Sequence, residues 1–352
     1  MRGNDHDQSR MYSYLSPEEL VPMEHPLRSL RRMTDQALKE LSWRFAGLYS
    51  QLGRRSVPPE KLLRALLLQV LYSIRSERML VEQLSYNFLF RWFVGLSMED
   101  SVWDVTVFSK NRERLLKGDI AQAFFEAVGQ QARQQGLLSD EHFTVDGTLL
   151  EAWASRKSYQ TKDEPPEQGS GSRGDFLLRD THASRTDPEA QMYRKSVGGE
   201  FKLCHMAHLL MENRHGLAVA GRVTTPLPQS EWEAALEMLA EIKRGGRATV
   251  GADKAYDEAG FIARLREMHV TPHVAQYQGR RSNIDGRTTR HPGYVISLEK
   301  RRSIEQIFGW LKNTALLRKL RHRGHALLQW QFTLALSAYN LVRMRTLAAI
   351  GA

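Results

Sequence analysis

The sequence predicts two unlike regions, an all-helical N-terminal region and a following α/β domain with a mixed sheet. Residues 26–136 carry apolar side chains at helical spacing. After residue 137, short stretches typical of strands alternate with amphipathic stretches typical of helices. A chain of 352 residues has room for two such domains. We therefore expect a loose arm over residues 1–25, a helical domain over 26–136 and an α/β domain over 137–352.

Charge and composition narrow the classes of partner. The net charge of +10 indicates a polyanionic partner, most simply nucleic acid, with an anionic membrane surface as the alternative. The single cysteine, Cys204, excludes a disulfide within the chain and fits a reducing compartment. The N-terminus is polar and lacks the apolar core of a signal peptide. Residues 327–341 are too short and too polar to span a bilayer, so they predict a buried helix.

Helices are predicted in order along the N-terminal region. One follows Pro26, and a clearer one covers Lys61 to Ser73 after a proline-rich start signal. Residues 79–96 continue with apolar and aromatic residues at helical spacing, which favours a core over a nucleic-acid platform. A short basic run follows at Arg112, Arg114 and Lys117. DNA binding or subunit contact by this domain is a hypothesis, since no specific helix-turn-helix signature is present.

The α/β domain begins with a short strand. Residues 141–147 (EHFTVDG) alternate apolar and polar side chains and predict a strand that ends at Asp146. Asp146-Gly147 also suits a type I′ hairpin turn, which is the alternative. Residues 157–175 are rich in Gly, Pro, Ser and charge, and they predict a mobile insertion over about 156–185.

A hairpin is predicted next. Residues 186–189 (TDPE) suit a capped turn, and strands over about 201–211 and 217–224 flank a turn. His205 and His208 are three residues apart in a strand, so they lie on opposite faces and form a poor metal pair. We interpret both as structural.

Helices and strands then alternate. Ser230 and Glu233 have the spacing of a capping box and predict a helix over 230–243. Residues 248–252 predict a strand that delivers Asp253. A helix over 257–269, with Asp257 as its cap, and a strand over 270–275 follow. Residues 278–296 are basic and predicted to be irregular.

A long amphipathic helix is predicted over 298–323, and a final helix over about 325–346. Arg301, Glu305 and Lys312 lie within about 40° of one another on this helix, because spacings of four and seven return to nearly the same side. A carboxylate between two cations can bind a metal while the cations hold a phosphate. The alternative is a solvated helix with i,i+4 ion pairs such as Arg301–Glu305.

Three carboxylates are therefore candidates for one site. Asp146 and Asp253 follow strands, and Glu305 lies in a late helix. Hard divalent cations, Mg²⁺ above all, prefer oxygen ligands. Two such ions about 4 Å apart can assist phosphodiester cleavage, and a basic helix beside them would hold the DNA backbone.

Several motifs carry a resemblance to a known family. They are TVDGT at 144–148, EAWAS at 151–155, TDPEA at 186–190, GADKAYD at 251–257, RTTRHPGY at 287–294 and RRSIEQIFGWLK at 301–312, together with VWDVTVFSKNRERL at 102–115. In these motifs the chain resembles the bacterial insertion-sequence transposases of the DDE superfamily, in the branch with a Tyr-Arg-Glu-Lys signature. The resemblance covers nearly the whole chain.

The resemblance implies a ribonuclease-H-like catalytic core. It implies that Asp146, Asp253 and Glu305 are the catalytic, metal-binding triad for two Mg²⁺ (or Mn²⁺) ions. Asp253 matches the family position better than Asp257. The signature Tyr falls on Leu298, so that element is missing, and Tyr294 is out of register. The expected DNA-binding residues are Arg301, Arg302, Lys312, Arg318, Lys319 and Arg321.

The resemblance also implies a function. The protein would bind the terminal inverted repeats of its element, hydrolyse a phosphodiester at each end and join the 3′-hydroxyl to target DNA. Its partner would be double-stranded DNA, without a membrane role, in the bacterial cytoplasm, and pairing two ends implies at least a homodimer on DNA. Two rivals stay open: a non-catalytic DNA-binding protein derived from a transposase, and a metal-dependent nuclease that cuts without joining.

Overall fold

The computed structural model describes residues 16–49, 52, 56–162, 181–194, 199–242, 246–277, 279 and 281–350. Its N-terminal region is helical, as the sequence predicts. The helices are α1 (Pro17–Leu20), α2 (Pro26–Glu40), α3 (Ser42–Leu48), α4 (Pro59–Leu71), α5 (Glu77–Tyr86), α6 (Phe88–Val94), α7 (Thr106–Lys117) and α8 (Ile120–Gln134). Residues 16–25 of the expected arm form α1 and its connection to α2, and residues 1–15 lie outside the described ranges.

The aromatic stretch after α4 forms two helices instead of one. The side chain of Asn87 separates α5 from α6, because its Oδ1 accepts a hydrogen bond from the Phe90 amide and begins a new helix. Phe90, Trp92 and Phe93 are buried, while Phe88 is exposed. The interpretation of this stretch as core is therefore confirmed for most of its aromatic residues.

The C-terminal region is built on a mixed sheet. The strands are β1 (His142–Glu151), β2 (Tyr159–Thr161), β3 (His182–Ser184), β4 (Gln191–Tyr193), β5 (Lys202–Glu212), β6 (Ala218–Thr224), β7 (Ala248–Ala252) and β8 (Val270–Val274). The main sheet has the order β6-β5-β1-β7-β8, and β4 pairs with the other end of β5. β1, β5 and β6 pair antiparallel, whereas β7 and β8 continue parallel to β1. This is the ribonuclease-H-like arrangement.

β1 is longer than the sequence predicts. The expected strand ends at Asp146, but β1 continues to Glu151 because β5 pairs with it over its whole length. Asp146-Gly147 therefore lies inside a strand, and the hairpin alternative is wrong. The predicted hairpin of β5 and β6 is confirmed.

Helices cover both faces of the sheet. They are α9 (Ser230–Ile242), α10 (Ala259–Glu267), α11 (Gly286–Thr289), α12 (Pro292–Arg301), α13 (Ser303–Asn313) and α14 (His325–Ile350). α9 and α10 pack with Phe143 and Val145 on one face. On the other face, α13 and α14 share a single buried cluster with the N-terminal helices. No helix in the described ranges is long and apolar enough to cross a membrane.

Several local predictions are corrected. The helix expected over 298–323 is interrupted at Arg302 and ends at Asn313, and the basic stretch over 278–296 contains α11 and the start of α12. Ser230 does not cap α9: it is the first helical residue, and its hydroxyl bonds the backbone of Thr225 and Leu227.

Asp257 does not cap the helix that follows it. Glu258 is the N-cap of α10, whereas the buried Asp257 carboxylate accepts a hydrogen bond from the Asn283 amide and anchors that loop. Of the expected insertion, residues 163–180 lie outside the described ranges, and the flanking strands β2 and β3 pair with each other.

Candidate active site

Asp146 lies within β1, and Asp253 directly follows β7, the parallel neighbour of β1. Thr144 of β1 is registered with Gly251 of β7. Carried two residues further, the same count would set Asp146 against Asp253, which directly follows β7. β7 pairs with β1 only as far as Thr144. The two carboxylates therefore lie where the sheet opens between these strands.

Both carboxylates are held by local hydrogen bonds. The Gly147 amide donates to Asp146 Oδ1 over 2.8 Å. The Ala255 amide donates to Asp253 Oδ1 over 2.8 Å, because Asp253 caps a 3-10 turn at Lys254–Tyr256. Each aspartate is thus oriented by its own backbone, and both side chains are only partly exposed.

The chain from α12 to α13 crosses the face of β1 that carries Asp146. A Cβ on Gly251 would lie 3.1 Å from Thr144 Oγ1 and 3.4 Å from the Ser297 carbonyl oxygen, so α12 lies over this part of the sheet. Lys312 Nζ donates to Thr148 Oγ1 over 2.6 Å. Thr144 and Thr148 share the Asp146 face of the strand, since side chains alternate.

Glu305 lies on α13 between these two contacts and is exposed. Within the described part of the chain, no group of three or more His, Cys, Asp or Glu side chains has an arrangement that could hold a metal ion. α13 packs against β1, so the helix that carries Glu305 contacts the strand that carries Asp146, and Asp253 directly follows the neighbouring strand β7. Carboxylate oxygens are the donors that Mg²⁺ and Mn²⁺ prefer, so the three residue types suit such an ion although their present spacing does not.

The predicted DNA-binding cations lie in two groups. Arg301 ends α12 and Arg302 follows it; Arg302 is exposed, whereas the Arg301 Nε is buried without a hydrogen-bond partner among the described residues. Arg318 and Lys319 are exposed beside the end of β1, where the Arg318 carbonyl accepts from the Glu151 amide over 3.1 Å. Lys319 Nζ lies 3.9 Å from Glu151 Oε1, at the end of β1, whereas Lys312 contacts Thr148 within the strand.

Arg321 has a different environment. Its Nη1 donates to the carbonyl oxygens of Ile74 and Arg75 over 3.0 and 2.9 Å, and burial lowers its pKa. This arginine therefore joins the segment after α13 to the N-terminal helices. Its contact with DNA stays a prediction.

Two residues that the sequence did not single out lie beside the aspartates. Tyr256 is 1% exposed, and within the described ranges its hydroxyl has no hydrogen-bond partner. Burial raises the pKa of Tyr256 well above its ordinary value, and the charges of Glu231, Asp146 and Asp253 raise it further. Tyr256 lies in the GADKAYD motif, but Glu231 resembles any acidic residue in a first helical turn.

Other candidate residues are structural. The hydroxyl of the buried Tyr294 donates to the Val274 carbonyl over 2.8 Å, so this tyrosine anchors α12 to β8. His205 Nε2 lies 2.9 Å from the buried Asp187 Oδ2, and His208 Nε2 lies 2.8 Å from Thr224 Oγ1. These separate contacts confirm that the two histidines do not form a metal pair.

Two family models match most of the chain. A family model described as "Transposase DDE domain" matches residues 139–341, and one described as "Transposase domain (DUF772)" matches residues 15–114. Among solved structures, a piggyBac transposase synaptic complex with hairpin DNA is 10% identical, with a TM-score of 0.44, over 93% of this chain and 76% of that one. A Mos1 transposase paired-end complex is 10% identical, with a TM-score of 0.22, over 84% and 82%.

Proposed function

Since the chain belongs to the DDE transposase family, we propose that it moves its own element. It binds the terminal inverted repeats, hydrolyses a phosphodiester at each end and joins the freed 3′-hydroxyl to target DNA. We further place it in the branch with the Tyr-Arg-Glu-Lys signature, because Arg301, Glu305 and Lys312 keep the signature spacing although Leu298 replaces the tyrosine.

The observation that supports this proposal is that Asp146 lies in β1 just past the end of its pairing with β7, while Asp253 directly follows β7. With Glu305 these residues would hold two Mg²⁺ or Mn²⁺ ions. Bound ions of this kind activate the attacking oxygen and stabilise the leaving oxygen in phosphodiester cleavage. Glu305 is carried on the exposed side of α13 and would close on the two aspartates with DNA in place.

The cations around the site would position the DNA backbone. Lys312 is directed onto the Asp146 face by its hydrogen bond with Thr148. Arg301 and Lys312 would hold the phosphate beside the scissile bond, while Arg302, Arg318 and Lys319 extend the positive surface. Phosphate contacts of this kind give affinity that falls steeply with salt. Pairing of two ends requires at least a dimer on DNA.

Strand cleavage with matched variants tests the proposal. Purified protein is incubated with labelled duplex carrying the element's own end, in Mg²⁺ or in EDTA. The substitutions Asp146→Asn, Asp253→Asn and Glu305→Gln should each lower the cleavage rate by about 10³-fold or more, since the metal site supplies several kcal/mol of transition-state stabilisation. End binding should be retained. Glu299→Gln, which removes another exposed carboxylate from α12, is the control and should cut normally.

The other outcomes identify the rivals. Binding without cutting in either metal would indicate a non-catalytic DNA-binding protein. Cutting without strand-transfer products would indicate a nuclease on the same core. Normal cutting by Glu305→Gln would remove that residue from the site and leave the two aspartates in it.

A further inference from the structure

A cavity lies between the N-terminal helices and the first half of α14. Its volume is about 300 Å³, which is the size of a small organic ligand. Leu66 of α4, Phe108 of α7 and Leu334 of α14 contribute apolar walls, and all three are buried. The segment between α13 and α14 adds Arg321 and His322 to the lining. Both regions of the molecule therefore bound this cavity.

The charged side chains of the cavity are mainly cationic. Arg112 of α7 and Arg321 line it, and within the described part of the chain Glu77 is the one carboxylate that does so. Glu77 forms an ion pair with Arg112. Arg321 donates instead to the carbonyl oxygens of Ile74 and Arg75, which carry no net charge. One carboxylate thus accompanies two partly buried guanidinium groups, so an anion in the cavity would be attracted.

Two further side chains supply polar contacts without a negative charge. Burial lowers the pKa of His322 from 6.5 to about 4, with help from the charges of Arg112 and Arg321, so the imidazole is neutral at pH 7. Trp330 of α14 also lines the cavity and is 6% exposed. Its Nε1 is buried and has no hydrogen-bond partner among the described residues. A buried donor without a partner is costly, and a ligand with an acceptor group could supply one.

We propose that this cavity binds a small organic acid, which has an apolar body and one anionic group. The body would pack between the apolar walls, and the anionic group would lie beside Arg112 and Arg321. Because the walls come from both regions, the bound acid would hold the N-terminal helices against α14. None of Asp146, Asp253 and Glu305 lines this cavity, so the proposal is independent of the proposed function.

Calorimetric titration of the full-length protein without DNA provides the test. The probes are cinnamate and decanoate, an aromatic and an aliphatic acid of about a dozen non-hydrogen atoms each, beside the uncharged cinnamamide. Cinnamate should bind with a Kd of about 10–500 µM and raise the melting temperature by mass action. Cinnamamide should bind about tenfold more weakly, because it lacks the charge. Binding of decanoate alone would identify an aliphatic acid as the ligand and would equally support the site.

Two charge variants of opposite effect test the position of the anionic group. Arg112→Gln should weaken cinnamate binding by about tenfold, because it removes a charge-assisted contact. Glu77→Gln should strengthen it by about threefold, because it removes the carboxylate that competes for Arg112. Neither change should alter the affinity for cinnamamide. Lys110→Gln, which removes an exposed cation from α7 outside the cavity, is the control and should bind cinnamate as the wild type does.

A cavity-filling variant tests the location independently of charge. Ala335 of α14 is buried and lines the cavity. The larger side chain of Ala335→Leu would occupy space that the ligand needs, so cinnamate affinity should fall by about tenfold or more. The melting temperature without ligand shows whether this variant is folded. Unchanged affinity in folded Ala335→Leu would place the bound acid elsewhere and overturn the proposal.

The remaining outcomes are equally decisive. Equal affinity for cinnamate and cinnamamide, or unchanged cinnamate affinity in both Arg112→Gln and Glu77→Gln, would overturn the assignment of an anion to this cavity. If neither cinnamate nor decanoate binds to the wild type at millimolar concentration, the cavity is only a gap in the packing and the proposal fails. Strand cleavage by the same preparations bears on the proposed function alone, so the two can fail separately.

Discussion

The two sides of β1 differ in how far they are paired. On one side, β5 is registered with β1 from Phe143 to Glu151. On the other side, β7 is registered with it only from His142 to Thr144. The long pairing fixes the register of the strand, and the short pairing leaves its middle open beside Asp146. The strand is thus held rigidly on its β5 side and leaves the site accessible on its β7 side, the open flank.

The side of β1 that pairs with β5, the closed flank, is also covered at its outer edge, along β6. Asn340 of α14 exchanges two hydrogen bonds of 2.9 Å with the Ala218 backbone, and Gln329 bonds the backbone of Gly221 and Val223 over 2.8 Å. These amides replace a neighbouring strand, so part of the edge of β6 is not free to pair with another chain. Sheet hydrogen bonds are therefore satisfied on the side away from the site.

The largest effect on stability is expected on the closed flank. Leu209 of β5 is registered opposite Asp146 and is fully buried. Leu209→Ala should lower the free energy of unfolding by about 2–5 kcal/mol, because it removes buried methyl groups and leaves a cavity. Urea unfolding measures this loss. Leu227→Ala, at an exposed leucine, is the control, and its free energy of unfolding should remain within about 0.5 kcal/mol of the wild type. A loss below about 1 kcal/mol for Leu209→Ala would contradict the tight packing of this flank.

A smaller loss is expected where α14 covers β6. A Cβ on Gly221 would lie 2.4 Å from Leu336 Cδ1 and 2.7 Å from Phe332 Cε1. Gly221→Ala should therefore lower the free energy of unfolding by about 1–3 kcal/mol through overpacking. Gly260→Ala is the matched control, since its Cβ would meet nothing within 4 Å on α10. Equal stability of the two variants in urea would show that α14 moves away easily.

Most of the closed flank could be predicted from sequence. Alternating and apolar stretches predicted β5 and β6 of this flank, and also β7 and β8 of the open flank, to within a residue or two. β1 was predicted too short. The turn preference of Asp146-Gly147 is visible locally in the sequence, whereas the pairing with β5 that overrides it involves residues far along the chain. Ser230 and Asp257 are residue types typical of helix N-caps. Their side chains instead bond the backbone of Thr225 and Asn283.

The open flank was predicted only in part. Asp146 and Asp253 follow apolar stretches, so their place at strands could be derived from sequence, but the register between β1 and β7 could not. Spacing alone did not reveal the break at Arg302 between α12 and α13 or the use of Arg321 as an internal anchor. Glu231 carries no local signal, because it approaches β1 at Gly147, more than 80 residues earlier in the chain, where a Cβ would lie 2.9 Å from Glu231 Oε1.

On the open flank, Lys312 is expected to affect DNA binding more than stability. Its ammonium bonds Thr148 beside the proposed site. Lys312→Met keeps most of the aliphatic volume and should weaken end binding by about tenfold at moderate salt, while the slope of log affinity against log salt falls by about one. Lys300→Met, which removes an exposed cation from α12, is the comparison. An unchanged salt slope in Lys312→Met would exclude a phosphate contact by this lysine.

The smallest effect is a pH dependence at β8, beyond the open flank. Burial, with help from the charges of His142 and His291, lowers the pKa of His273 from 6.5 to about 4. Above pH 6.5 the histidine is neutral in both folded and unfolded chains, so its full contribution is present. As the pH falls from 6.5 towards 4, the unfolded chain takes up a proton that the folded chain does not, and stability is lost. His273→Gln should therefore lose less stability than the wild type between pH 7 and pH 4.5 in urea unfolding. His269→Gln, at an exposed histidine just before β8, is the control and should follow the wild type. Parallel curves for His273→Gln and the wild type would show that His273 is protonated as readily in the fold as in water.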